Sequence, residues 1–72
     1  MSGLHAQICQ AHAASDLGQL VTLYAQAANE APDLDASCFF LTHAFVFALE
    51  SGDARSTDLR QQLVAQGREA PD

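Results

Sequence analysis

The sequence predicts a small all-α domain of about four short antiparallel helices, formed as helical hairpins around a central apolar helix. Three observations carry this expectation. Alanine is the commonest of the 72 residues, and only Pro32 and Pro71 would interrupt a helix. Apolar residues recur at helical spacing on both sides of Asp16. Residues 38–49 read Cys-Phe-Phe-Leu-Thr-His-Ala-Phe-Val-Phe-Ala-Leu, an apolar run that holds all four phenylalanines. A helix that is apolar all round has no side to turn to water, so other elements must wrap it. On that basis Phe45 and Leu49 are expected to be nearly fully buried. At about 12 residues the run is short of the roughly 20 that cross a bilayer.

The elements follow in order from caps and periodicity. The first helix starts after Ser2 and runs to about Ala14, with Leu4, Ile8 and Ala11 on one face. Asp16 is the expected N-cap of the second, and Gln19 three residues later completes a capping box. That helix carries Leu17, Leu20, Val21, Tyr24 and Ala28 on a buried stripe, and Gln19, Thr22 and Gln26 on its wet side. Residues 29–35 contain Pro32 and two aspartates, so the chain turns there, and either Asp33 or Asp35 caps the third helix. Gly52 ends the third helix in the left-handed conformation that glycine adopts cheaply. The fourth helix follows Asp53 or begins at Ser56, turns Leu59 and Leu63 inward, and is closed by Gly67. Residues 1–67 therefore form a single helical domain, and 68–72 are expected to be a disordered tail.

Charge narrows the partners. The formal net charge is −6, lysine does not occur, and the cations Arg55, Arg60 and Arg68 all lie in the last third. Phosphate-rich surfaces would be repelled, so neither nucleic acid nor membrane is an expected partner. The N-terminus shows no basic stretch followed by an apolar segment, and two cysteines are too few for a disulfide scaffold. A cytoplasmic location follows, and there a Cys9–Cys38 disulfide is disfavoured. The alanine-rich, lysine-free usage is associated with bacterial GC-rich genomes.

Shifting the chain by about 37 residues lays Leu4, Ile8, Ala11, Ser15 and Asp16 on Leu41, Phe45, Ala48, Gly52 and Asp53. The period is in the range of helical solenoids. Leu17, Leu20, Val21 and Tyr24 have the spacing of the tetratricopeptide first-helix signature, and the Gly52-Asp53 junction is similar to those of tetratricopeptide or Sel1-like repeats. The resemblance covers about residues 16–66. Leu17 stands where the family has tryptophan and Val21 where it has glycine; the loop around Pro32 is longer, and no proline closes the third helix. What the resemblance implies is an antiparallel helical array that binds other proteins through a concave face, without catalysis.

Few side chains suggest chemistry. His5, Cys9 and His12 are spaced i, i+4, i+7 on one helix face, and imidazole and thiolate are zinc ligands. Spread along two turns they span roughly 10 Å, too far to converge on one ion unaided. Two of them could share an ion with Cys38 or with a neighbouring molecule, but no bound metal is expected. His43 is the strongly polar side chain inside the apolar run. It must pair with Tyr24, with an aspartate of residues 33–35 or with a backbone carbonyl, or else point into a binding groove. Cys38 fits a small buried apolar role, and Tyr24 a core ring with its hydroxyl at the rim. Glu30, Asp33 and Asp35 lack the alternation and turn glycine of a calcium loop. No phosphate-binding loop, nucleophile elbow or metalloprotease motif occurs. The expectation is a small non-enzymatic protein-interaction module or adaptor without cofactor. It would form a homodimer, or dock a larger protein, through the surface of the first and second helices. The alternative is a small metal- or ligand-binding helical protein using His43 or the His5/Cys9/His12 face.

Overall fold

In a computed structural model of the chain, which describes residues 3–67, four α-helices follow one another through short turns. They are α1 (Leu4–Ala13), α2 (Leu17–Glu30), α3 (Leu34–Ser51) and α4 (Arg55–Ala65). The described residues contain no strand. The expected tail, 68–72, lies outside them. Each helix packs on its neighbour in sequence, α1 on α2, α2 on α3 and α3 on α4. The resulting array is flat, 38 × 29 × 12 Å.

The caps explain the boundaries. Asp16 Oδ1 accepts the Gln19 backbone N–H (3.2 Å) and starts α2. The reciprocal half of a capping box has no donor to take, because the Asp16 N–H already donates to the Ala11 carbonyl (3.0 Å). Asp33, not Asp35, caps α3, with Oδ1 accepting the Ala36 N–H at 2.8 Å. Gly52 closes α3 at φ 68°, and the N–H groups of Asp53 and Gly52 return to the carbonyls of Ala48 (2.8 Å) and Leu49 (3.3 Å). Asp53 Oδ1 accepts the Arg55 N–H (2.9 Å) at the start of α4, and Gly67 follows its end at φ 72°.

Two clusters make the core. The larger joins α2, α3 and α4 through Val21, Ala28, Cys38, Leu41, Ala44, Ala48, Leu59 and Leu63. The smaller joins α1 to α2 through Ala11, Leu20 and Leu23. Half-buried Tyr24 and Phe47 touch both clusters.

The apolar helix is not wrapped. Its buried residues are Cys38, Leu41, Ala44 and Ala48, so alanines occupy the seam where α2 and α4 approach. Phe40, Phe45 and Phe47 are displaced to the half-buried margin. Phe45 is therefore only partly covered and Leu49 is 57% exposed, against the expectation that both would be inside. The cause is the open array. Only α2 and α4 lie along α3, and α1 reaches it through a ring contact between His12 and Phe47.

Candidate functional site

The exposed large apolar side chains among the described residues are Leu34, Phe39, Val46 and Leu49, and all four belong to α3. The largest exposed apolar side chains are thus on the third helix. The α1–α2 surface named from the sequence carries a depression of about 310 Å³, lined in part by half-buried Leu4, Ile8 and Phe40. Three- and four-residue steps bring Phe39, Thr42, His43, Val46 and Leu49 onto one side of α3. A shallow open depression of about 450 Å³ is lined by Asp35, Cys38, Phe39, Thr42 and His43. A second, of about 240 Å³, is lined by Thr42, His43, Val46 and Phe47. They share Thr42 and His43, and together they form a groove along the helix.

Local hydrogen bonding keeps this face apolar. Thr42 Oγ1 donates to the Cys38 carbonyl (2.8 Å), one turn back. His43 Nδ1 lies 2.9 Å from the Phe39 carbonyl, and because a carbonyl only accepts, Nδ1 carries a proton. The backbone carbonyl is therefore the partner, out of the three open in the sequence. Both polar residues of the face are folded back onto their own helix, and what remains for a visitor is mostly hydrocarbon and ring. The His43 ring stacks on Tyr24 (centroids 5.2 Å, 22° between planes) and meets Phe39 on its other contact at 4.5 Å. Tyr24 also stacks on Phe47 (5.7 Å), and its hydroxyl shares a 2.9 Å hydrogen bond with His12 Nε2. Its ring is half-buried with the hydroxyl at the rim.

The first-helix trio is divided. His5 Nε2 and Cys9 Sγ lie 3.6 Å apart at an exposed position, whereas His12 is held by Tyr24 and packed edge-on to Phe47. Among the described residues no group of three His, Cys, Asp or Glu stands close enough to hold a metal ion. Both cysteines are free thiols, Cys9 exposed and Cys38 buried in the floor of the α3 groove. Of the acidic loop, Asp33 is the α3 cap and Glu30 accepts from Gln26 Nε2 (3.0 Å).

Sequence reasoning passed over Arg55. Its guanidinium bonds the Asp53 carboxylate through Nη2 (2.7 Å) and Nε (3.1 Å), and crosses to α2 through Thr22 Oγ1 (2.6 Å) and the Gly18 carbonyl (3.1 Å). The bonds from the Arg55 side chain, and then from its backbone N–H, lower the Asp53 pKa to about 2. The signal was a cation two residues after an aspartate in a chain poor in cations.

By length and composition α3 is long and apolar enough to cross a membrane, and 22% of that helix is buried inside the chain. The helix runs to 18 residues because Asp33 and Gly52 cap it outside the apolar run. No family model, curated protein or solved structure matches this chain.

Proposed function

We propose that the chain is a small, non-enzymatic helical module that binds another protein through the outer face of α3, in the bacterial cytoplasm. The observation that carries this reading is the exposed row of Phe39, Val46 and Leu49, which runs along a groove where Thr42 and His43 are already bonded to their own helix. Contiguous exposed apolar surface marks an interaction site or an aggregation risk. Covering it returns roughly 25 cal/mol for each Å² removed from water. The successive helical hairpins are also the architecture that the tetratricopeptide resemblance would imply. The metal-binding alternative has less support, since His12 is engaged with Tyr24 and only His5 and Cys9 remain together.

The test is affinity capture with the immobilised wild-type chain and with a Phe39→Asp/Val46→Asp variant, both checked for helicity by circular dichroism. Proteins retained by the first and lost by the second are the expected result. Identical retained sets would overturn the assignment of the site to α3.

A further inference from the structure

We infer that the occupant of the α3 face is a single amphipathic helix of basic character, carrying an apolar stripe flanked by lysine or arginine. This rests on the interaction-module reading and goes beyond it in naming the partner's chemistry. Three observations select this occupant over a second copy of the chain.

The first is size. From their exposed fractions and side-chain areas of the usual magnitude, Phe39, Val46 and Leu49 offer roughly 300 Å². A stable dimer of ordinary kind buries about 800 Å² on each partner. A row of this size suits a helix laid into a groove, which anchors through side chains three and four residues apart.

The second is length. From Phe39 to Leu49 the row rises about 15 Å, some three helical turns. A short helix lying along α3 can place one apolar residue against each of Phe39, Val46 and Leu49, with the Thr42–His43 waist between them.

The third is charge. The chain carries −6 without a single lysine, and exposed Glu50 follows Leu49 at the end of the row. A second copy would bring −6 onto −6, whereas a basic helix is drawn in by the same field and held at the rim of the groove.

The probe is a fluorescein-labelled peptide of about 15 residues made of leucine and lysine, with leucines at helical three–four spacing. It is compared with a shuffled peptide of the same composition and with a leucine–glutamate version, by fluorescence anisotropy. The patterned leucine–lysine peptide should bind at least about tenfold tighter than either. Val46→Asp and Leu49→Asp, each helical by circular dichroism, should weaken it about tenfold. Each variant adds negative charge, which would strengthen a contact made by charge alone, so a loss reports the apolar row. Equal binding of the shuffled peptide, or variants that bind as well as the wild type, would overturn the inference. Two further arms separate this failure from failure of the module reading. A dimer in sedimentation equilibrium that Val46→Asp dissociates would replace the basic helix by a second copy and leave the module intact. Binding of the wild type to phosphatidylcholine vesicles, lost in Val46→Asp, would overturn both in favour of a lipid surface.

Discussion

The two hairpins of this chain, α1–α2 and α3–α4, turn by the same hydrogen bonds but with different residues at the critical position. In the second hairpin Gly52 takes φ 68°, and Asp53 and Gly52 donate to Ala48 and Leu49. In the first hairpin Ser15 takes φ 53°, and Asp16 and Ser15 donate to Ala11 (3.0 Å) and His12 (3.1 Å). Each aspartate then uses its carboxylate to start the next helix. The positions are those aligned by the 37-residue shift in the sequence. The hydrogen-bond pattern is therefore set by how the paired helices must meet, and the left-handed residue conforms to it. Glycine does so without strain, whereas serine carries a Cβ that costs about 1 kcal/mol in that region.

The hairpins also differ in how firmly they are held. α3 and α4 share one core with α2, and Leu63 is 1% exposed within it. α1 contributes Ala11 as its buried residue, with Leu4 and Ile8 half-covered. Leu63→Ala should therefore produce the largest loss, about 2–5 kcal/mol, a large share of the roughly 5 kcal/mol that a chain of this size commands. Ile8→Ala should cost clearly less, because only part of its side chain leaves water. Urea unfolding of both variants measures the gap, and equal losses would put the two hairpins on a par.

The turns themselves come next. Gly52→Val forces a β-branched residue to positive φ, and should destabilise the chain by about 1–2 kcal/mol. Ser15→Gly should act in the opposite direction. It relieves the same strain but gives the unfolded chain more freedom, so the net gain is smaller, about 0.5 kcal/mol. A thermal melt in which Ser15→Gly is less stable than wild type would show that the serine side chain contributes something the hydrogen-bond pattern does not reveal.

Helix number, order and caps were legible in the sequence because capping is local: Asp16, Asp33, Gly52 and Gly67 all act within a few residues of themselves. The core was misjudged because burial is not local. The phenylalanine-rich run announces a core helix by composition, yet which side of it is covered depends on how many helices reach it, and α1 does not lie along it but meets its margin, as in the ring contact of His12 with Phe47. Small Ala44 and Ala48 took the seam that the rings were expected to fill. The same non-local cause hid the exposed face of α3. Nothing in the spacing of Phe39, Val46 and Leu49 distinguishes an uncovered face from a covered one. His43 was half legible, since a buried imidazole had to find a partner, but its choice of the Phe39 carbonyl over Tyr24 depends on the ring stacking between helices.

The smallest expected effect separates the hairpins electrostatically. Asp53 is bonded by the Arg55 side chain and backbone, and its pKa is lowered from 3.8 to about 2. In the unfolded chain the carboxylate takes up its proton near the ordinary value, so across this interval the unfolded state binds more protons than the folded one. The contribution of Asp53 to stability is therefore complete above the ordinary pKa and disappears as pH falls through the folded one. Both partners keep contact with water, which limits the size of the effect. A double-mutant cycle of Asp53→Asn and Arg55→Gln should give a favourable coupling at about pH 6 that shrinks towards zero by about pH 2. Arg55 also ties α4 to Thr22 and Gly18 of α2, so Arg55→Gln alone should destabilise the chain more than Asp53→Asn does. A coupling that stays the same at both pH values would mean that the ionised Asp53 carboxylate is not what holds the second turn, and that the backbone hydrogen bonds of Asp53 and Gly52 to Ala48 and Leu49 carry it instead.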